Sequence, residues 1–345
     1  MKKFYAVIGN PPYQEDTEGS GRSIPIYPSF MEEAYKVGEK VELITPARFL
    51  FNRGFTSKEF NQRMLDDKHL KVMEYESDAT QVFPSVDIRG GVAVTYRDSD
   101  SCVGPIGVML KDERLRPIMN KVLRADDFSS FASIVGNRGS YHLTKLFYDE
   151  NPWACPMLQR GTKDQITTSA FTELRSVFFE LKPDDGVSYV KVLGRSAHNR
   201  KTMWIRESYI RIPANSGFDV YKVAIPKASG SGDFGETIGD TVVLGKREAH
   251  TDTFISIGCF KSVNEAESCQ QYIRTKFTRA MLGVLKVTQD ITSSVWRYVP
   301  LQDFTDQSDI DWSQSVSDID RQLYRKYGLD DTEIEFIESH VKEMD

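Results

Sequence analysis

The chain has 345 residues, of which 40% are hydrophobic and 27% charged, a balance that excludes a disordered or low-complexity polymer and leaves room for about two cores. A net charge of −6 argues against a protein that wraps nucleic acid with its whole surface, while allowing a local basic groove on an acidic body. No run of about 18 apolar residues is present, so no segment is expected to span a membrane. The short apolar stretch at the start lacks the length and cleavage site of a signal peptide, which predicts a cytoplasmic protein.

In chain order, residues 3–8 (KFYAVI) are apolar, rich in strand formers, and stop at Gly9. Tyr27, Phe30, Met31, Ala34 and Tyr35 then recur at helical spacing, with Glu32, Glu33 and Lys36 opposite and Gly38 as the stop. Residues 41–44 predict a strand and 57–65 a helix with Phe60, Met64 and Leu65 inward; residues 70–75 and 92–96 are the next strands. This alternation predicts an α/β fold with crossover connections, a partial Rossmann-like domain over residues 1–110. From 111 to 345 the pattern predicts an α+β domain. It has helices at 115–123 and 128–135, strands at 187–193, 202–205 and 221–225, one long helix over 264–286, and an acidic helical C-terminus. The Gly-rich stretch 229–239 is read as a flexible loop. Cys102, Cys155, Cys259 and Cys269 form no C-x-x-C pair, and the five histidines form no H-x-x-x-H pair. No metal site is expected, and the thiols are expected to be buried or half-buried.

The sharpest signal is Asn10-Pro11-Pro12-Tyr13, directly after the first strand. An exocyclic amino nitrogen on adenine is a poor nucleophile because its lone pair is conjugated into the ring. Two acceptors aimed at its N–H bonds, the Asn10 side-chain oxygen and the Pro11 carbonyl, would free that pair for attack on a methyl sulfonium. Proline fixes φ and holds the carbonyl in place. Tyr13 offers a stacking face, and no general base is required. The plain competing reading is a Pro-Pro turn preceded by an ordinary Asn.

With this tetrad the chain resembles the amino-methyltransferases of bacterial restriction–modification systems in which the cofactor motifs precede NPPY and a target-recognition domain follows. Ser23-Ile24-Pro25-Ile26-Tyr27, Leu43-Ile44-Thr45-Pro46-Ala47-Arg48-Phe49-Leu50 and Gln81-Val82-Phe83-Pro84 leading into Asp87-Ile88-Arg89-Gly90-Gly91-Val92 are similar to stretches after that family's loop. So are Thr251-Asp252-Thr253-Phe254, Tyr272 to Phe277 with Arg279, Val299-Pro300-Leu301-Gln302-Asp303-Phe304 and Ile319-Asp320-Arg321-Gln322-Leu323-Tyr324. The resemblance implies adenine-N6 methylation of double-stranded DNA by S-adenosylmethionine without a metal. It also implies Phe83 as a second aromatic against a base flipped out of the duplex. In that family the Gly-rich cofactor loop lies upstream of NPPY, and only nine residues precede Asn10 here. The expectation is a chain that does not hold the cofactor alone and depends on an upstream methyltransferase half or another restriction–modification subunit.

For DNA contacts the candidates are Lys191, Arg195, Arg200, Lys201 and Arg206, within a basic stretch that also holds His198 and Arg211 and carries one acid, Glu207. A second set, Arg274, Lys276, Arg279 and Lys286, is placed on the long helix. Such cations hold phosphates or read guanine edges, and a solvated strand pair and helix face are the plain alternatives. Three functions stay open: part of an adenine methyltransferase, a non-catalytic DNA-recognition module or truncated remnant, and methylation of a glutamine amide. Cytosine-N4 is a further possible target.

Overall fold

The computed structural model describes residues 3–16, 23–52, 55–84, 88, 90–156, 164–196, 199–213 and 217–344. Asp87, Arg89 and His198 lie outside them. The protein is mixed α/β with several small sheets and divides into two compact units, Met1–Glu113 and Arg114–Asp345. Among the described residues no helix is long and apolar enough to cross a membrane.

The first unit contains β1 (Phe4–Gly9), β2 (Gln14–Asp16), β3 (Ser23–Pro25), α1 (Tyr27–Val37), β4 (Gly38–Pro46), α2 (Lys58–Asp66), β5 (Leu70–Glu76) and β6 (Val92–Asp98). Its main sheet runs β1-β4-β6-β5. Only one connection is the expected crossover: α1 carries the chain from β1 to a parallel β4, with Gly9 opposite Leu43. The β4–β6 and β5–β6 pairs are antiparallel, which corrects the expectation of repeated crossovers.

Gly38 closes α1 by donating its N–H to the Ala34 carbonyl and opens β4 in the same residue. A Cβ there would lie 2.8 Å from Val7 and 2.9 Å from Val41, so glycine is what lets helix end and strand start coincide. α2 begins where Ser57 Oγ accepts the Phe60 N–H at 3.1 Å, and Phe60, Met64 and Leu65 are buried. Tyr27, Phe49 and Phe60 pack as a tilted aromatic series under the 3-10 turn Ala47–Phe51.

The second unit contains α3 (Leu115–Leu123), β7 (His142–Leu143), α4 (Lys145–Glu150), α5 (Ala170–Glu173), β8 (Tyr189–Ser196), β9 (Asn199–Arg206), β10 (Ile210–Arg211), β11 (Tyr221–Pro226), β12 (Val242–Leu244), β13 (Glu248–His250), β14 (Phe254–Phe260), α6 (Val263–Arg274), α7 (Lys276–Gly283), α8 (Val316–Lys326) and α9 (Asp331–His340). Its sheets are β13-β8-β9, β12-β11-β14 and β10-β7.

Several expectations are corrected here. The long helix is two helices, broken at Thr275, whose φ of −59° and ψ of 148° leave the helical region. The break is stabilised because Thr275 Oγ1 accepts the Thr278 N–H and the buried Asp320 carboxylate accepts those of Lys276 and Phe277, capping orphan amides of α7. Burial raises the Asp320 pKa to about 7, with those two bonds opposing the shift. Residues 128–135 form only a 3-10 turn at Phe131–Ile134, because Ser130 and Val135 are drawn into β-bridges with Pro300 and Ile257.

The stretch 229–239 is a packed loop. Glu236 accepts from the Ser231 and Gly232 N–H groups, each at 2.8 Å, and pairs with Lys286. Gly232 and Gly235 have φ of 103° and 72°, and a Cβ would strike the Thr288 and His340 backbones, so only glycine fits. Of the cysteines only Cys269 is buried; Cys102, Cys155 and Cys259 are exposed, since they fall on loop, turn and outward strand positions.

Candidate functional site

β1 delivers Asn10 to the carboxyl end of a parallel strand pair, the place where open α/β sheets expose loops to ligands. Asn10 and Pro12 are exposed, and Pro11 and Tyr13 are half-buried. The loop is closed from behind: the Tyr13 carbonyl accepts the Ile26 N–H at 3.1 Å, and β2 and β3 pair antiparallel just beyond it. Burial raises the Tyr13 phenol above its usual pKa, and the neighbouring Asn10 side chain offsets part of the shift.

Phe83 reaches the same loop from a different element. Asp78 caps a 3-10 turn by accepting the Thr80 N–H, and the Phe83 N–H closes that turn on the Ala79 carbonyl at 2.8 Å. The Tyr13 and Phe83 rings stand edge to face, 6.4 Å between centroids and 70° between planes. The structure therefore brings the two aromatics together but not as parallel plates. A base stacked on one ring meets the other by its edge, and a sandwich requires a ring to turn.

A cavity of about 270 Å³ opens beside Tyr13, lined also by Gln14, Tyr27, Arg48, Phe55 and Thr56. Arg48 follows the carboxyl end of β4 as Asn10 follows that of β1, so parallel pairing puts both at the same end of the sheet. Burial raises the pKa of the Tyr27 phenol well above its usual value, against the pull of Arg48. Spacing in the sequence does not single out Arg48 or Phe55. The available signal was a cation inside an apolar run directly after a strand.

The hairpin β8–β9 carries the basic stretch, with Arg195 opposite Arg200 and Gly194 opposite Lys201. Its one-sided charge in sequence is balanced in space. Lys191 pairs with Glu248 at 3.1 Å, Arg206 with Glu150 at 3.0 Å, Arg200 with Asp240 and Lys201 with Glu180. Arg195 is exposed at the hairpin tip.

The helical set does not form a shared basic face. Arg279 is buried at 3% exposure and donates to the Arg274 carbonyl. Arg274 is half-buried, and Lys276 is held between Glu338 and Glu343 at 2.6 and 2.8 Å. Lys286 is buried on Glu236. Acids of the C-terminal segment hold Lys276, and Glu236 of the 229–239 loop holds Lys286. The acidic C-terminal segment is thus partly an internal source of counter-charge, Glu333 with Lys121 included.

Residues 1–83 match the family described as Eco57I restriction-modification methylase, so over that part the chain is similar to restriction–modification methylases. No curated protein sequence matches the chain. Among solved structures it is similar to the type IIG restriction endonuclease BpuSI, at 10% identity over 86% of this chain and 44% of that one, with a TM-score of 0.29. It is also similar to the type IIL restriction–modification enzyme MmeI in complex with DNA, at 10% identity over 97% of this chain and 56% of that one, with a TM-score of 0.43. The chain spans about half the length of these two proteins.

Proposed function

We propose that this chain is the catalytic-loop and target-recognition part of a site-specific DNA adenine-N6 methyltransferase of a restriction–modification system. The observation that carries this is the Asn10-Pro11-Pro12-Tyr13 loop at the carboxyl end of β1, with Asn10 exposed and Tyr13 in contact with Phe83. A flipped adenine stacks on Tyr13 with its edge against Phe83. Its amino group donates to Asn10 Oδ1 and the Pro11 carbonyl, which draws the nitrogen toward a tetrahedral shape with its lone pair free. After methyl transfer the surplus amino proton leaves to water.

S-adenosylmethionine is the methyl donor this chemistry calls for, but the cavity beside Tyr13 does not fit it. Its described lining has no carboxylate for ribose hydroxyls and no Gly-rich turn for the sulfonium amino acid. A further α/β element would supply that site. Support comes from the free edge of β1, which among the described strands pairs with β4 alone and leaves Phe4, Tyr5 and Ile8 at 48%, 71% and 79% exposure. Apolar side chains exposed on an unpaired edge strand mark a surface built to be covered. The described lining beside Tyr13, without groups to hold the cofactor, is what favours the second reading, a DNA-recognition module without chemistry of its own.

The test is transfer of a labelled methyl group from S-adenosylmethionine to mixed-sequence duplex DNA, by this chain alone and after addition of an upstream methyltransferase half. The expected result is label in DNA only with the added half, lost in Asn10→Ala. Duplex binding without label in either case favours the recognition module. Labelling unaffected by Asn10→Ala sinks the proposed role of the loop.

A further inference from the structure

The hairpin that sequence marks as basic is, in the fold, matched almost cation for carboxylate, as the four ion pairs of Lys191, Arg200, Lys201 and Arg206 indicate. A surface neutralised in this way attracts phosphates weakly. Elsewhere in the second unit is a groove of about 560 Å³ whose polar lining includes Ser133, Asn137, Arg138, Ser140, His142 and Ser256, with no acidic side chain lining it among the described residues.

We propose that this groove is where the second unit reads base edges of DNA, with Asn137 and Arg138 as the reading side chains. This rests on the DNA-methyltransferase reading above and names the recognition element within it.

The two residues occupy an exposed turn flanked by Gly136 and Gly139, and the turn is tied down on both sides. Val135 bridges to Ile257, the Gly136 N–H donates to the Ser256 carbonyl at 2.8 Å, and Ser140 Oγ donates to the Asn137 carbonyl at 2.8 Å. Arg138 donates to Asp290 at 2.7 Å and to the Lys227 carbonyl at 3.3 Å, which aims its guanidinium and leaves further donors of its five. A reading group held in place before binding loses little entropy when it binds. His142 adds a buried Nδ1 that has no hydrogen-bond partner among the described residues, in the wall of the same groove.

The chemistry suits base edges better than the phosphate backbone. A phosphate grip wants several uncompensated cations, and here the one arginine already shares its charge with Asp290. What the groove offers is mixed donors and acceptors. An asparagine amide pairs bidentately with adenine N6 and N7, and an arginine with guanine O6 and N7.

The test is selection of bound sequences from a duplex pool with a randomised central segment, using the full chain, Asn137→Ala, His142→Ala and Arg200→Ala, with thermal unfolding recorded for each. The expected result is a motif for the unaltered chain. In Asn137→Ala, preference for the cognate base should fall about tenfold at one or two adjacent positions, with the melting temperature unchanged and the motif intact in Arg200→Ala. A motif that survives Asn137→Ala, whatever His142→Ala does, overturns the groove as the reading element and leaves the DNA reading standing. Duplex binding with no motif in the unaltered chain overturns it as well. No duplex retained at all overturns the DNA-methyltransferase reading itself, and the groove proposal with it. Because Asn137 is exposed, its variant decides the matter even if His142→Ala does not fold.

Discussion

Replacing Glu236 by glutamine should destabilise the second unit far more than a surface change in a Gly-rich loop would. The Glu236 and Lys286 side chains are only 12% and 5% exposed, and Glu236 also takes the Ser231 and Gly232 N–H groups. Glutamine keeps an acceptor for those amides but removes the charge, leaving the Lys286 ammonium buried without a counter-ion. Breaking a buried pair from one side costs about 3–5 kcal/mol, and the retained amide bonds put this variant near the lower end. For a unit of this size that corresponds to a fall of about 10 °C in Tm. The assay is differential scanning calorimetry, which separates the transitions of the two units, backed by urea unfolding followed by circular dichroism. Adding Lys286→Met to Glu236→Gln should restore much of the loss, because the double variant no longer buries an unpaired charge. A single variant melting within about 2 °C of the unaltered protein would refute the buried-pair argument and return the stretch to a flexible loop.

His250 is fully buried between Tyr141 and Phe254, with Nδ1 on the Thr251 carbonyl and Nε2 on Ser256 Oγ. A carbonyl only accepts, so Nδ1 carries a proton; burial disfavours a second one, which leaves Nε2 to accept from the Ser256 hydroxyl. Burial lowers its pKa to about 4, so the stabilisation from the neutral ring is complete above pH 6.5 and is lost as pH falls toward 4. The amount is about 3 kcal/mol; the stability difference between the unaltered protein and His250→Gln should shrink across that window, and a difference independent of pH would contradict it. On the hairpin, Glu180→Gln with Asp240→Asn should free Lys201 and Arg200, tightening duplex binding and steepening its salt dependence by up to about one unit per freed cation. An unchanged salt slope would place that hairpin away from DNA.

Much of the first unit could be read from one dimension because its instructions are local. The spacing of Tyr27, Met31 and Ala34, the stop at Gly38, the cap at Ser57 and the run before Gly9 act within a few residues, and the elements they specify formed within a residue or two of where periodicity put them. The strand-borne position of Asn10-Pro11-Pro12-Tyr13 was legible for the same reason. The antiparallel return of β5 and β6 was not, because hairpin and crossover connections carry similar apolar patterns.

What only the tertiary structure decided concerns charge and interruption. Sequence spacing sees a basic stretch but not the carboxylates of Glu150, Glu180, Asp240 and Glu248 that folding sets against it. It sees helical periodicity across Thr275 but not Asp320, brought from 43 and 44 residues away to cap the second helix at Phe277 and Lys276. It sees glycines at 229–239 but not the buried Glu236–Lys286 pair that stiffens them. The physical reason is common to all three: hydrophobic periodicity and capping are short-range properties of the chain. Charge compensation and the satisfaction of buried polar groups depend on partners that become neighbours only when the chain has folded.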